Sequence, residues 1–123
     1  MTKLISIIIP VYNEEKTIKI ILNKVLKQKE FSKEIIVIND FSTDNTKSLI
    51  EDEFLQKIKL INNERNYGKG FSVRKGIEEA TGDIILIQDG DLEYDPSDYK
   101  KLLKPLIENR ADAVYGSRFL GSG

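Results

Sequence analysis

Four acidic residues, Asp89, Asp91, Glu93 and Asp95, are crowded into "ILIQDGDLEYDP" (residues 85–96), directly after an apolar run. Carboxylates at this spacing raise one another's pKa and repel, unless a positive charge lies among them. Residues two apart in an extended chain point the same way, so the first three can converge on one ligand. Because Mg²⁺ and Mn²⁺ are held by one or two carboxylates together with phosphate oxygens and water, we expect Asp89 and Asp91 to bind such a metal.

The other two acids have a structural alternative. Asp95 and Pro96 are typical of a helix start, with aspartate as the cap and proline in the first turn, and we assign them that role. For Glu93, metal binding and a solvated position both remain open. Gly90 lets the backbone turn tightly between the two predicted ligands and leaves room for a bound molecule.

The composition excludes several kinds of chemistry. The chain of 123 residues contains no cysteine and no histidine, which rules out disulfides, thiolate catalysis and a Ser-His triad. Its formal net charge of -1 shows no basic excess, so we expect no nucleic-acid partner. Any catalysis must therefore use carboxylates, lysine, arginine, tyrosine, backbone amides or a hard metal ion. The length fits one domain, residues 1–123.

No apolar run approaches the roughly 18 residues of a membrane span. The N-terminal stretch "MTKLISIIIPVYNEE" turns polar at Tyr12 without a cleavage site of small residues, so it predicts a strand and not a signal peptide. We therefore expect the chain to be cytoplasmic.

Five short apolar runs rich in isoleucine and valine alternate with helical patterns, and they predict strands at 4–9, 34–38, 57–61, 83–87 and 112–116. Uninterrupted apolar strands are typical of a parallel sheet covered on both faces. Helical spacing is clearest in Ile18, Ile21, Leu22, Val25 and Leu26. The pattern predicts an α/β fold with a Rossmann-like, doubly wound, mainly parallel sheet, in which ligands bind beyond the carboxyl ends of the strands.

Each predicted strand is followed by a polar segment. In "PVYNEE", Asn13 suits a helix N-cap and the glutamates suit the positive end of a helix dipole, whereas Tyr12 could stack on a base or serve in packing. In "NDFSTDNT", one of residues 42–45 is expected to start the second helix. Asp40 lies directly after its strand, where no cap is needed, so it could accept hydrogen bonds from a nucleobase or ribose.

The third and fifth segments supply glycines and cations. Gly68 and Gly70 of "NYGKG" allow a phosphate or sugar to approach the backbone, and Lys69 adds positive charge. Arg118 of "GSRF" follows two small residues and is a second candidate for binding a diphosphate, although surface cations are commonly just solvated.

The segments "SIIIPVYNEEKTI", "IIVINDFSTDNT", "NYGKGFSVRKGIEEATGDIILIQDGDLEYDP" and "VYGSRF" together resemble the inverting glycosyltransferase family 2, which has the GT-A fold. The resemblance covers nearly the whole chain, with the segments in the family's order and spacing. It is closest to the polyprenol-phosphate branch, which includes dolichol-phosphate mannosyltransferases and undecaprenyl-phosphate glycosyltransferases.

The resemblance implies a role for each matching position. Residues of the nucleotide pocket and of the base contact would be Pro10, Tyr12, Glu14 and Asp40. The metal-binding DXD motif would be Asp89-Gly90-Asp91, with Glu93 as a third ligand and Arg118 near the phosphates. One departure is clear: the family usually has Asp-Asp-Gly-Ser where this chain has "NDFS", so Phe41 replaces a glycine and the shape of that loop is in question.

The chemistry that the resemblance implies is a displacement at the anomeric carbon of a UDP- or GDP-sugar. Mg²⁺ or Mn²⁺ held by Asp91 and its neighbours, with Arg118 or Lys69, would neutralise the departing diphosphate. A lipid-phosphate acceptor is already ionised near neutral pH and needs no general base, whereas a glycan hydroxyl would require a carboxylate.

Family members generally continue past "GSRF" with the acceptor side, and this branch often adds membrane helices. We therefore expect a GT-A-type sheet truncated after the fifth strand, with membrane association supplied by missing regions and self-association through exposed apolar surface. Two functions remain open: a transferase, or a donor-binding half-domain without turnover. A phosphotransfer protein of the haloacid-dehalogenase or response-regulator type is disfavoured, because its nucleophilic aspartate would follow an early strand.

Overall fold

The computed structural model describes residues 3–90, Pro96, 113–115 and 119–120. Its elements are β1 (Leu4–Val11), α1 (Ile18–Leu26), β2 (Ser32–Asn39), α2 (Thr46–Glu53), β3 (Lys59–Asn62), α3 (Lys69–Glu79), β4 (Ile84–Ile87), β5 (Ala113–Tyr115) and β6 (Phe119–Leu120). Some predicted features lie outside the described residues, namely Asp91, Glu93, Asp95, Arg118 and a helix around residues 102–107.

The described strands form one sheet with the order β3-β2-β1-β4-β5-β6. The chain moves outward from β1 through β2 to β3 and then returns to place β4 on the other side of β1. These neighbours are all parallel, as are β4 and β5, whereas β6 runs antiparallel to β5. The direction of strand order therefore reverses between β1 and β4, which is where open α/β sheets bind their ligands.

The predicted α/β fold is confirmed, with shifts at the ends of some elements. The third strand begins at Lys59 and not at Lys57, because the N–H groups of Lys57 and Ile58 both donate to the carbonyl of Phe54 and form a turn after α2. The short strand β6, which pairs with β5, was not predicted. Two residues give too little alternation for a sequence pattern to detect.

Both faces of the sheet are covered, as its uninterrupted apolar strands indicate. On one face, Ile5, Ile7 and Ile9 of β1 pack in a core cluster with buried residues of α1 and α2. On the other face, Ile8 belongs to a second cluster that includes Val73 of α3. The alternating side chains of β1 therefore join two helical layers, with α1 and α2 on one side and α3 on the other.

A charged network closes the sheet at the end opposite the strand carboxyl ends. A side-chain oxygen of Glu34 accepts hydrogen bonds from the Ser6 hydroxyl, from the N–H of Thr81 at 2.6 Å and from the Thr81 hydroxyl at 3.0 Å. The Gly82 N–H donates to the oxygen of Ser6 at 2.8 Å. Partial burial opposes ionisation of Glu34, but these hydrogen bonds outweigh it and hold the pKa of Glu34 below its usual value.

This network predicts a pH dependence of stability. A carboxylate with a lowered pKa contributes stability that is present above its unfolded-state pKa and is lost as the pH falls through its folded-state pKa. Replacing Glu34 by glutamine should therefore reduce the loss of unfolding free energy between about pH 5 and pH 3. Urea unfolding at a series of pH values measures this, with Glu64→Gln in an exposed loop as the control. If the unfolding free energy of Glu34→Gln fell with pH as steeply as that of the wild type, the lowered pKa of Glu34 would not contribute to stability.

Among the residues that the structure describes, no helix combines the length and apolar character needed to cross a membrane.

Candidate functional site

A cleft of about 250 Å³ opens where the carboxyl ends of β1 and β4 meet the start of α3. Its described lining residues are Pro10, Val11, Tyr12, Glu14, Asp40, Lys69, Ser72, Asp89 and Gly90. Six residues that the sequence predicts for donor binding belong to this set, namely Pro10, Tyr12, Glu14, Asp40, Lys69 and Asp89. Gly68 and Gly70, which were predicted to let a phosphate or sugar approach, are not among the lining residues. The six predicted lining residues come from four separate segments, and the reversal of strand order is what brings them together.

An ion pair between Lys69 and Asp89 bridges the cleft. The side chain of Asp89 is 13% exposed and that of Lys69 is 58% exposed, so the carboxylate is the more desolvated partner. Lys69 is the first residue of α3, where the N-terminal N–H groups add further positive potential. Lys69 therefore places a positive charge beside Asp89, the first of the acidic residues that follow β4.

The described lining suits a hard divalent cation. Asp89 already stabilises a cationic group in the cleft, and carboxylates are the oxygen ligands that Mg²⁺ and Mn²⁺ take in proteins. Within the described part of the chain, no three or more aspartate and glutamate side chains lie close enough together to hold a metal. The predicted ligands Asp91 and Glu93 lie outside that part, so the complete metal site remains a prediction.

Asp40 holds the loop that leads into α3. Its Oδ1 accepts hydrogen bonds from Asn63 Nδ2 at 2.9 Å and from the Tyr67 N–H at 2.8 Å, and its Oδ2 accepts one from the Gly68 N–H at 2.9 Å. Gly68 has φ of 97°, a conformation that glycine adopts without strain. Asp40 therefore fixes the approach to Lys69 through these contacts. Its predicted contact with a base remains a prediction.

Replacing Asp40 by asparagine should lower the unfolding free energy by about 2 kcal/mol, since one carboxylate oxygen becomes an amide donor facing another donor. The loop should also open more often, because two of its backbone N–H groups depend on this side chain. Chemical denaturation and the rate of tryptic cleavage after Arg65 measure the two effects.

Asp83→Asn is the matched control, because Asp83 accepts a single backbone hydrogen bond from Leu4 at the far end of the sheet. It should leave cleavage after Arg65 unchanged. Equal cleavage rates for Asp40→Asn and wild type would show that Asp40 does not hold the loop.

Asn13 does not cap α1, and this prediction is wrong. The helix begins at Ile18, with Thr17 at the cap position. Asn13 instead has φ of 53° and connects two loops: its N–H donates to Ser42 Oγ at 3.0 Å, and its Oδ1 accepts from the Thr43 N–H at 2.7 Å. Asparagine tolerates this left-handed conformation better than most residues, which explains the residue type.

The prediction that one of residues 42–45 starts α2 is confirmed, because Asn45 occupies the cap position, although its side chain makes no capping hydrogen bond. The side chain of Asp44 instead binds the first residue of the helix. Its Oδ1 accepts hydrogen bonds from the N–H of Thr46 at 2.9 Å and from the Thr46 hydroxyl at 2.6 Å. The N–H of Glu15 donates to Oδ2 at 3.2 Å. Burial opposes ionisation, but these bonds hold the pKa of Asp44 below its usual value. Thr46 Oγ1 also accepts from the Glu14 N–H at 2.8 Å, which ties α2 to the cleft.

Phe41 adopts a backbone conformation that favours glycine. Its φ is 61°, in the left-handed region, and it is 52% exposed. A non-glycine residue there costs about 1–2 kcal/mol of backbone strain. The loop therefore has a conformation suited to glycine although phenylalanine occupies it, and about half of the residue is exposed to solvent.

Tyr12 lines the cleft and is 43% exposed. That exposure argues against a role in core packing and favours the alternative in which the ring meets a ligand.

Three other residues of the site were not predicted from the sequence: Asn63, Ser72 and Thr17. Asn63 Nδ2 donates to Ser72 Oγ at 3.0 Å as well as to Asp40. Asn63 and Ser72 are both buried. Nothing in their local sequence distinguishes them from ordinary loop and helix residues.

The chain is similar to known glycosyltransferases in sequence and in fold. The family model for glycosyl transferase family 2 matches residues 6–123. An uncharacterised protein of Methanocaldococcus jannaschii is 42% identical over 90% of the chain, and the dolichol-phosphate mannosyltransferase of Pyrococcus furiosus is 31% identical over 97% of it. The chain spans 50% and 34% of the length of these relatives, respectively.

Among solved structures, the mannosyltransferase PcManGT from Pyrobaculum calidifontis, in complex with GDP-Man and Mn²⁺, superposes with a TM-score of 0.68 at 26% identity. The match covers 74% of this chain and 28% of that protein. Both the sheet topology and the family match place the fold in the GT-A class. The chain belongs to glycosyl transferase family 2.

Proposed function

We propose that this chain binds a nucleoside-diphosphate sugar together with Mg²⁺ or Mn²⁺ and takes part in inverting transfer of the sugar to a polyprenyl-phosphate acceptor. The observation that carries the proposal is the cleft between β1 and β4, which brings together six residues predicted to bind the donor. Family membership and the relatives named as sugar transferases support the reaction class.

The cleft and the predicted residues near it offer groups for the metal ion, the diphosphate and the nucleoside of the donor. Asp89, with Asp91 and Glu93, would hold the divalent ion, which when bound stabilises charge on a departing diphosphate. Lys69 at the start of α3 would approach the same phosphates, since its flexible ammonium can move from Asp89 to a phosphate oxygen. Arg118 would add a second cation. Tyr12 and Asp40 would face the nucleoside.

The proposed acceptor is a lipid phosphate. A phosphate monoester is already ionised at neutral pH, so its oxygen can attack the anomeric carbon without a general base, and this chain has no histidine to serve as one. The dolichol-phosphate mannosyltransferase relative supports this acceptor class. We place the reaction at the cytoplasmic face of a membrane, and we expect the chain to associate with that membrane and with copies of itself.

Calorimetric titration tests donor binding and identifies the base. UDP, GDP and their hexose conjugates are each titrated into the chain with and without Mn²⁺. The proposal expects saturable binding of one nucleotide that strengthens when Mn²⁺ is present. Absence of binding to either nucleotide under both conditions would contradict it.

A second assay separates transfer from binding alone. The nucleotide-sugar that binds is incubated with Mn²⁺ and a short-chain polyprenyl phosphate in detergent. Lipid-linked sugar is measured by mass spectrometry, and its anomeric configuration is determined by NMR. Product with inverted anomeric configuration supports the transferase. Donor binding without product would support the alternative of a donor-binding half-domain, whose described site residues all lie on the donor side.

A further inference from the structure

Thr17 contacts the central residue of the Asp89-Gly90-Asp91 segment. Its Oγ1 lies 2.7 Å from the carbonyl oxygen of Gly90, across 73 positions of sequence. The same hydroxyl lies 3.2 Å from Glu14 Oε2 and 3.5 Å from the carbonyl of Glu14. A hydroxyl has one proton to donate, and the shortest contact identifies Gly90 as the main acceptor.

Gly90 is also confined on its other sides. A Cβ at this position would lie 2.8 Å from Val11 Cγ1, 3.1 Å from Glu14 Cγ and 3.3 Å from the carbonyl oxygen of Pro10. These atoms belong to the end of β1 and to the segment that leads to α1. The backbone between the two aspartates is therefore seated against β1 by packing and held there by one side-chain hydrogen bond.

The position of Thr17 is fixed by the packing of α1. It immediately precedes α1, whose residues Ile18, Ile21 and Leu22 have no exposed surface. Its side chain makes no capping hydrogen bond to the helix. The hydroxyl is therefore not required to start α1, and its shortest contact is with Gly90, the residue after Asp89.

We propose that Thr17 is a positioning residue for Gly90 and the neighbouring carboxylate of Asp89, and through them for metal-dependent donor binding. The inference rests on the proposed function. Movement of Gly90 away from Thr17 would shift the adjoining backbone that carries Asp89. A divalent ion of the Mg²⁺ class accepts little deviation in the positions of its oxygen ligands, so its affinity should report this displacement.

The test compares Thr17→Val with Thr17→Ser. Valine keeps the branched shape and removes the hydroxyl, whereas serine keeps the hydroxyl. The affinity for GDP or UDP, whichever the wild type binds, is measured by calorimetry with and without Mn²⁺. Binding of Mn²⁺ alone is measured by electron paramagnetic resonance.

We expect Thr17→Val to weaken both Mn²⁺ binding and Mn²⁺-dependent nucleotide binding by about tenfold, as is usual when a group that orients a ligand is removed. Nucleotide binding without Mn²⁺ should change by less than about twofold, and Thr17→Ser should restore wild-type values. Thr81→Val removes a hydroxyl at the opposite end of the sheet and should leave all of these affinities unchanged.

The outcomes separate the two proposals. If the wild type binds Mn²⁺ and nucleotide and Thr17→Val binds them equally well, the positioning role is overturned and the proposed function is not. An equal loss of affinity with and without Mn²⁺ also overturns the positioning role, because this would indicate a general structural role. A wild type that binds neither metal nor nucleotide overturns the proposed function and the positioning role together.

Discussion

Replacing Asp89 by asparagine is expected to weaken Mn²⁺-dependent binding of the nucleoside diphosphate by about 100-fold, which corresponds to about 2.7 kcal/mol. The substitution preserves the size of the side chain but removes its negative charge and one of its two acceptor oxygens. It also removes the ion pair that places Lys69 over the cleft. Calorimetric titration with and without Mn²⁺ measures the change, and binding without Mn²⁺ should be affected much less.

Asp52→Asn is the matched control, because it makes the same chemical change at an exposed position of α2. It should leave the affinity within about twofold of wild type, since a single exposed charge distant from a site is largely screened. If Asp89→Asn retained full Mn²⁺-dependent affinity, the metal would have to bind elsewhere and the assignment of the cleft would be wrong.

Gly76→Ala is expected to lower the unfolding free energy by about 3 kcal/mol, at the upper end of the usual range for overpacking a core. An added Cβ would lie 2.5 Å from Ile8 Cγ2 and 2.8 Å from Ile38 Cδ1. Both isoleucines are fully buried in the central strands, so neither can move aside without disturbing the sheet. Relief requires α3 to move away from the sheet, and Lys69 and Ser72 would move with it.

Gly70→Ala provides a control within the same helix. Its new Cβ would meet only Arg74 Nη1, at 3.7 Å, which is ordinary contact. Alanine also costs less backbone entropy in a helix than glycine, so this variant should gain about 0.5–1 kcal/mol. Urea denaturation should therefore show a lower unfolding free energy for Gly76→Ala and a higher one for Gly70→Ala than for the wild type. A Gly76→Ala protein as stable as wild type would show that α3 does not pack this closely on the sheet.

The fold could be predicted from the sequence because its signals are local. The isoleucine-rich runs identify the four strands β1 to β4 within two residues at most of their ends, and the spacing from Ile18 to Leu26 identifies α1. The polar residues that follow β1, β2 and β4 converge because parallel strands have their carboxyl ends at one edge. The presence of Tyr12, Asp40 and Asp89 in one cleft follows from that rule.

The internal contacts of the site could not be predicted, because they join distant positions through side chains that have several uses. The Thr17 hydroxyl suits a helix cap, but it contacts Gly90 instead. Asp40 was assigned to a ligand from its position after β2, and the structure shows that its oxygens also hold a loop more than 20 residues later in the sequence. Asn13 was assigned to a cap from residue type alone, whereas the chain conformation directs it to the neighbouring loop.

Mapping where Mn²⁺ and nucleotide bind on the chain tests the assignment of the cleft as the donor site. Substoichiometric Mn²⁺ is added to the ¹⁵N-labelled protein with saturating GDP or UDP, and paramagnetic broadening is measured for each assigned amide. We expect strong broadening at Gly90, Tyr12 and Lys69, and far weaker broadening at Thr81 and Gly82 at the opposite end of the sheet. Broadening centred away from the cleft, with Gly90, Tyr12 and Lys69 unaffected, would show that the donor binds elsewhere.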